Sequence, residues 1–337
     1  MTAPTRHRPA PPARLFLLAP LVLSNCSGVQ SALDTAATAA GHLRLLILSF
    51  TLICGVVWLL VMVMLGWALL RRRPAATDAG TQRRLTIAVS VCVAATVVIV
   101  GGLTTLSFLA TRTLGSGEGE IEVVAVGQQW WWQFLYPAGG FQTVNELHIP
   151  VGRTVRIRLE SPDVIHSFWV PSLSGKVDMI PGRTNALTLK AERPGLYRGQ
   201  CAEFCGLQHS HMAFTVIAED AATYARWMVE QARPARTPDT SHPDTSEAEA
   251  GRAVFLVKPC AACHTVRGTR AVGTTGPDLT HVGSRRTIAA GLLDTTRGTL
   301  AAWTADPQTL KPGTTMPLVP LTSDELRQVS AYLESLK

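Results

Sequence analysis

The sequence predicts a multidomain protein with an N-terminal transmembrane helical hairpin, a Greek-key β-sandwich and a C-terminal all-α domain. Two long apolar stretches lie within the first 116 residues, short alternating segments separated by turn residues follow, and residues 247–337 carry helical patterns. A chain of 337 residues is long enough for two or three domains. Its 47% hydrophobic and 16% charged residues favour attachment to a membrane.

Residues 43–70 and 85–110 are the two apolar stretches, and each exceeds the roughly 20 residues that span a bilayer. The loop between them, RRRPAATDAGTQRR, holds five arginines and one acid. Because positively charged loops stay on the cytoplasmic side, both ends of the chain should face outward. Residues 27–116 are therefore predicted to form a transmembrane hairpin, with Cys54 and Cys92 as packing residues inside it.

Residues 1–26 have the layout of a secretory signal segment. Three arginines precede LFLLAPLVL and then SNCSG. Cys26 resembles the lipidated cysteine of a bacterial lipoprotein, whereas Asn25 departs from the small residue that usually precedes it. Signal cleavage is expected, and lipidation stays open.

Residues 117–230 alternate between apolar and polar positions. IEVVAVGQQWWW, VRIRLE and TNALTLKA are predicted strands, and PAGG, PVG, IPGR and RPG are turns between them. This pattern predicts a β-sandwich or barrel of Greek-key type. Residues 231–246 are rich in Pro, Ser and Thr without apolar periodicity, which predicts a linker.

The net charge of +7 does not indicate a nucleic-acid partner. Residues 1–116 hold ten arginines and two acids, whereas residues 117–230 hold nine bases and twelve acids. The positive excess therefore flanks the apolar stretches, and neither exported region has a cationic face of the kind that binds DNA.

Residues 260–264, CAACH, form the C-x-x-C-H signature of covalent c-type haem attachment. Cys260 and Cys263 would bond the haem edge, and His264 would take an axial position on the iron. Met316 is the only methionine after His264, so it is the expected sixth ligand; His281 is the alternative. Ligation by Met and His raises the haem potential and suits electron transfer.

A second metal centre is predicted from CAEFCGLQHSHM, residues 201–212. Cys205, His209 and Met212 occur in the order of a mononuclear copper site, with His166 as the upstream histidine. Cys201 is then an additional thiolate, which can bridge two metals. Two four-coordinate coppers need eight bonds, and the count closes with two bridging thiolates, two histidines, one methionine and a backbone carbonyl, that of Glu203. A disulfide or a Cys₂His₂ zinc site would leave Met212 without a role.

These residues resemble subunit II of haem–copper cytochrome c oxidases, of the bacterial type with a fused cytochrome c domain. The family's C-x-E-x-C-G-x-x-H-x-x-M appears at residues 201–212, and His166 lies at the family's distance upstream. The resemblance implies a cupredoxin-like domain at residues 117–230, holding the dinuclear copper A centre, and a cytochrome c domain at residues 247–337. It implies a subunit that passes electrons to subunit I for oxygen reduction and proton pumping.

The resemblance also implies roles for single residues. Glu203 would offer its carboxylate to a magnesium at the interface with subunit I, and Trp130 would receive the electrons on their way to copper. His211 would not be a ligand. Many relatives have a carboxylate at the start of the second span for proton uptake, but residues 81–86, TQRRLT, contain no acid.

Other oxidase subunits, and cytochrome c or a quinol–cytochrome c reductase as donor, are the implied partners. The implied location is the bacterial inner membrane, with the copper and haem domains on the periplasmic face. Two alternatives are a copper-bearing subunit of a nitric oxide reductase and a membrane-held copper-delivery protein. A delivery protein has no need of haem.

Overall fold

The computed structural model of the chain describes residues 27–71, 79–112, 118–236 and 243–337. The predicted signal segment and Cys26 lie outside the described residues. Two long helices come first, α1 (Thr38–Leu70) and α2 (Ala79–Thr111), and their best windows have mean hydropathies of 2.7 and 2.4. Both helices extend beyond the predicted spans and expose most of their apolar side chains, so they are long and apolar enough to cross a membrane.

A β-sandwich of two five-stranded sheets follows. The first sheet has the order β3-β2-β1-β5-β8, and the second has the order β4-β10-β9-β6-β7. The strands are β1 (Ile121–Gln128), β2 (Trp131–Tyr136), β3 (Phe141–Val144), β4 (Glu146–Pro150), β5 (Val155–Glu160), β6 (His166–Trp169), β7 (Val177–Met179), β8 (Asn185–Leu189), β9 (Gly195–Cys201) and β10 (Ala213–Glu219). The predicted sandwich is confirmed.

The alternation in VRIRLE works as predicted, because Val155, Ile157 and Leu159 are fully buried between the sheets. Aromatic rings fill the centre: Trp132 packs against Phe168 edge-on at 5.8 Å and against Phe214 at 4.8 Å. Such side chains dominate the burial that stabilises a sandwich core.

One predicted strand is wrong. IEVVAVGQQWWW is not continuous but divides into β1 and β2, which pair antiparallel across a turn at Gln129 and Trp130. Alternation alone cannot reveal this turn, which contains neither Gly nor Pro. The Gln129 amide donates to Asp163 Oδ2 (2.7 Å), so a residue 34 positions downstream helps to hold the turn.

The segment before α1 is joined to the sandwich. Ala36 and Ala37 are buried in its core. The Ala36 amide donates to the Ser172 carbonyl (2.8 Å), and the Ala36 carbonyl accepts from the Glu192 amide (2.9 Å). The first long helix therefore starts directly from the surface of the sandwich.

The C-terminal region is helix-rich, with helices α3 (Ala221–Ala232), α4 (Pro243–Val257), α5 (Cys260–Cys263), α6 (Arg297–Ala305), α7 (Pro307–Leu310) and α8 (Ser323–Ser335). Helices α3 and α4 reach into the two ends of the predicted linker. Helix α8 begins with a capping box, formed by Thr322 and Glu325. Residues 286–306 are not helical throughout, because a short hairpin of β11 (Thr287–Ile288) and β12 (Leu293–Asp294) precedes α6.

Helices α4 and α8 cross closely at Gly251. A Cβ atom there would lie 1.9 Å from the Gln328 carbonyl oxygen, so only glycine fits without moving a backbone. Phe255 and Tyr332 pack beside the crossing with ring centroids 5.6 Å apart. This helix pair forms one wall of the core of the C-terminal region.

Candidate metal centres and the path between them

The fold brings the predicted copper ligands close together, and His166, Cys201, Cys205 and Met212 among them are buried. Cys201 ends β9 and His166 begins the neighbouring β6, while Cys205, His209 and Met212 lie in the loop that leads to β10. The Sγ atoms of Cys201 and Cys205 are 3.7 Å apart. His166 Nδ1 lies 3.8 Å from Cys201 Sγ, and His209 Nδ1 lies 3.6 Å from Cys205 Sγ. Each thiol therefore has its own imidazole.

Two further donors complete the cluster. Met212 Sδ lies 3.8 Å from Cys205 Sγ, and the Glu203 carbonyl oxygen lies 3.1 Å from Cys201 Sγ. The two cysteines are free, and their Sγ atoms are too far apart for a disulfide, whose S–S bond is about 2.05 Å. Sulfur–nitrogen separations of 3.6–3.8 Å leave room for a metal bonded to both atoms at about 2.0–2.3 Å. The donor set thus fits two thiolate-bridged metals.

The two cysteine thiols interact through a hydrogen bond. The hydrogen bond from Cys205 lowers the pKa of Cys201, and the same interaction raises the pKa of Cys205. Because a thiolate, not a thiol, is the metal ligand, the lowered pKa of Cys201 favours metal binding.

Asp163 holds His166 in position. Its Oδ1 accepts from His166 Nε2 (2.8 Å) and its Oδ2 accepts from the Gln129 amide (2.7 Å). Burial raises the pKa of Asp163, but the bonds from His166 and from backbone amides outweigh it, so the carboxyl pKa lies below its ordinary value. A carboxylate that accepts from one ring nitrogen leaves the other, Nδ1, free to face the thiols.

We expect Asp163→Asn to weaken metal binding by about 10- to 100-fold, as is typical when a ligand histidine loses its outer carboxylate. An amide offers one acceptor where the carboxylate offers two, so either His166 or Gln129 loses its partner. Copper retention against a competing chelator measures the effect. Glu122→Gln is the control, because Glu122 is an exposed acid paired with Arg158. Equal copper retention in the two variants would contradict the role of Asp163.

The predicted haem residues surround an apolar cavity. Cys260, Cys263, His264 and Met316 all line it, and Phe255, Leu279, Val282, Ile288, Leu300 and Trp303 form its apolar wall. His281 is not among the residues that line this cavity; its Nε2 lies 3.1 Å from the Arg233 carbonyl oxygen. The cavity thus offers the two thiols, one imidazole and one thioether that a covalent haem with Met and His ligands requires.

A hydrogen bond fixes the His264 ring in a form that can bind iron. Its Nδ1–H donates to the Pro277 carbonyl (2.8 Å), which leaves Nε2 as the free acceptor. Burial lowers the pKa of His264, although its bond to the Pro277 carbonyl opposes this shift. The lowered pKa favours the neutral imidazole, the form that binds iron.

Gly276 gives the His264 ring its space. A Cβ atom at Gly276 would lie 2.7 Å from His264 Cε1, so Gly276→Ala should displace the ring at a cost of about 1–3 kcal/mol. We expect a lower haem content or an altered haem potential. Gly298→Ala is the matched control, since the nearest atom to its Cβ would be 3.8 Å away. Identical haem spectra and potentials in the two variants would contradict the prediction.

Trp130 lies between the two candidate centres. Its Nε1–H donates to the carbonyl of Cys205 (3.1 Å), and its ring lines the haem cavity. It is only 8% exposed, because the C-terminal region covers it. Trp131 also lines the cavity.

Three residues near the two centres were not singled out from the sequence: Asp163, Trp131 and Lys311. Asp163 lies three positions before His166 and accepts a hydrogen bond from its ring. No motif in SPDVIH indicates this contact. Trp131 lies beside Trp130 in the sequence, but its contact with the cavity depends on how the two regions pack. Nothing in the sequence distinguishes Lys311 from a surface lysine, yet in the structure it is only 2% exposed.

Comparison with known proteins gives two family matches. Residues 140–219 match the family described as cytochrome c oxidase subunit II, periplasmic domain, and residues 248–337 match cytochrome c. The chain is 40% identical over 222 residues to cytochrome c oxidase subunit 2 of Alkalihalophilus pseudofirmus, covering 66% of this chain and 63% of that protein. It is 32% identical over 249 residues to cytochrome c oxidase subunit 2 of Bacillus sp. (strain PS3), covering 70% and 68%.

Among solved structures, the periplasmic domain of subunit II of cytochrome oxidase from Bradyrhizobium japonicum is 30% identical. The match covers 34% of this chain and 95% of that one, with a TM-score of 0.33. The chain spans about two thirds of the length of the relatives it matches, 63% and 68%. The two families indicate copper in the sandwich and haem c in the C-terminal region. The chain belongs to the cytochrome c oxidase subunit 2 family and carries a fused cytochrome c domain.

Proposed function

We propose that this chain is the electron-transfer subunit of a respiratory cytochrome c oxidase. It takes electrons from cytochrome c, through its own covalent haem c and a dinuclear copper A centre, to subunit I, where oxygen is reduced to water and protons are pumped. The observation that carries the proposal is the contact of Trp130 with both sites: its Nε1 bonds the Cys205 carbonyl, and its ring lines the haem cavity.

In this proposal the copper ligands are His166, Cys201, Cys205, His209 and Met212, with the carbonyl of Glu203. When bound, a dinuclear copper centre would supply one-electron chemistry, with the unpaired electron shared between its two metals. Cys201, Cys205 and Met212 are at most 3% exposed, so the protein keeps water away from the donors. All donors come from protein, which leaves no position for a substrate.

Cys260 and Cys263 would hold the haem covalently, and His264 and Met316 would bind its iron. A haem with these ligands supplies one-electron chemistry at a raised potential. The apolar cavity wall would exclude water from a bound haem, and the Pro277 carbonyl orients His264. With His264 and Met316 both bound, the iron would have no free position for oxygen, which favours electron transfer.

The carboxylate of Glu203 is partly exposed and pairs with Lys176 Nζ at 3.2 Å. It can therefore reach a neighbouring subunit, and we propose that it binds magnesium at the interface with subunit I. The helices α1 and α2 would anchor the chain in the bacterial inner membrane, with the copper and haem domains on the periplasmic face. Cytochrome c or a quinol–cytochrome c reductase would be the donor.

Trp130→Phe should slow electron transfer from the haem of this chain to copper, because phenylalanine lacks the N–H that bonds the Cys205 carbonyl. Photochemical reduction of the oxidised haem, followed by the decay of the reduced haem band, measures this rate. Trp303→Phe is the control, since Trp303 also lines the haem cavity but packs against the core of the C-terminal region. Equal rates in both variants would remove Trp130 from the path.

Oxygen uptake by the complex, purified from membranes through a tag on this chain and fed with reduced cytochrome c, tests the proposed function. Fast, cyanide-sensitive uptake is the expected result. An intact, metal-loaded complex that consumes no oxygen would overturn the oxidase assignment, and consumption of nitric oxide instead would identify a nitric oxide reductase.

A further inference from the structure

A buried lysine lies where the haem region meets the copper domain. Lys311 directly follows α7, and it is 2% exposed. Its Nζ donates to three backbone carbonyls: Trp130 (2.7 Å), His211 (2.9 Å) and Ala289 (3.0 Å). Two of these carbonyls belong to the copper domain and the third belongs to the haem region. One ammonium group therefore joins both regions.

The three carbonyls match the three N–H donors of a protonated lysine. In the described part of the chain, Lys311 forms no ion pair with an acid within 4.0 Å, so the carbonyls are what stabilises its charge. Burial lowers the pKa of Lys311 to about 7, whereas three acceptors around the ammonium favour the charged form. A buried group of this kind is costly unless every donor is satisfied, and here each donor has its own acceptor.

The partners of Lys311 lie at the two ends of the proposed electron path. The Trp130 side chain bonds Cys205 and borders the haem cavity. His211 is adjacent to Met212, and Ala289 lines the haem cavity. Lys311 is itself five positions before Met316. A shift of the haem region on the copper domain would break these bonds and leave a buried ammonium or three buried carbonyls without partners.

Two neighbouring hydrogen bonds also join the copper domain to the haem region. Gln208 Nε2 donates to the Pro312 carbonyl (2.8 Å), and the Ala213 amide donates to the Ala290 carbonyl (3.1 Å). Ala289 and Ala290 both have positive φ, 54° and 62°. Non-glycine residues rarely adopt this conformation, and here it presents two successive carbonyls to the interface.

We propose that Lys311 is the positioning residue that fixes the haem region on the Trp130 face of the copper domain, so that this chain holds its own donor in one docked position. The proposal rests on the proposed function, since it concerns the geometry between the two centres. It implies that an outside donor delivers electrons to the haem, because Trp130 is covered.

Lys311→Met tests the proposal in the full-length chain within the purified complex. Methionine keeps an unbranched chain but cannot donate to the carbonyls. Hydrogen exchange should speed up about tenfold or more at the amides of Ala213 and Arg286, which bond across the interface to the Ala290 carbonyl and to Glu146 Oε1. The Thr215 amide, which bonds Asn145 within the copper domain, should keep its protection. Electron transfer from haem to copper should also slow about tenfold or more.

Lys258→Met is the matched control, because Lys258 pairs with Glu325 inside the haem region. Lys311→Gln keeps two donors, so it should give intermediate exchange if Lys311→Met fails to fold. Unchanged exchange at Ala213 and Arg286 in the Lys311 variants would overturn the proposal, as would exchange that rises equally in Lys258→Met. A parent complex without electron transfer from haem to copper would defeat the proposed function instead, and the exchange measurements would still decide the role of Lys311.

Discussion

Cys201→Ser should abolish the shared-electron signal of the copper centre. The Cys201 thiol lies 3.7 Å from Cys205 Sγ and beside the nitrogen of His166, so it is the only second bridging donor in the described cluster. A serine hydroxyl is a harder donor and stays protonated, and it does not replace a bridging thiolate. The loss in electron transfer should exceed the roughly 10- to 100-fold that removal of an outer partner costs.

Electron paramagnetic resonance of the purified complex, together with its copper content, measures the result. Cys54→Ser is the matched control, because Cys54 is a free, exposed cysteine in α1. A spectrum of Cys201→Ser with the unpaired electron still divided between two coppers would exclude Cys201 as a bridge.

Met316→Ala should lower the midpoint potential of the haem by on the order of 0.1 V, since axial ligands set potentials over a range of about 0.8 V. Met316 and His264 line the same cavity. Its backbone is held by Gln308, whose Nε2 donates to the Met316 carbonyl (3.0 Å). Loss of the thioether would leave the iron without its second protein ligand and make the haem harder to reduce.

Redox titration of the haem band in the intact complex gives the potential. Leu318→Ala is the control, since Leu318 lies two positions away and is 59% exposed. If Met316→Ala keeps the potential of the parent, the sixth ligand is another residue, and His281→Ala would then be measured next.

Much of the fold follows from local patterns in the sequence. The two long helices can be predicted from apolar composition and length alone. VRIRLE alternates between buried and half-buried residues, as a strand with one face in the core does. The helix starting at Ser323 is marked by its capping box. Such features depend on neighbours within a few residues, so that a single sequence carries them. The donor types in residues 201–212 are equally local, and the structure gathers Cys201 and Cys205 with His166, their ligand atoms all within 4.8 Å of one another.

Features set by distant contacts were not predictable. The turn at Gln129 is held by Asp163 from another loop. The hairpin of β11 and β12 lies in a stretch with helix-forming residues, and the positive φ values of Ala289 and Ala290 place it against the copper domain. The burial of Lys311 has the same origin. In each case the deciding partner is more than 20 residues away, and periodicity does not report it.

The junction between the sandwich and α1 limits how far the copper ligands can lie from the membrane surface. Ala37 is buried in the sandwich core, and the apolar stretch begins at residue 43. Six helical residues rise about 9 Å, so in the proposed membrane arrangement the sandwich lies close to the lipid headgroups. The distance of the sandwich from the hydrocarbon core is therefore set by the length of a helix rather than by a flexible linker. Inserting one helical turn between these residues would lift the domain by about 5.4 Å and increase its distance from an acceptor inside the bilayer by a similar amount.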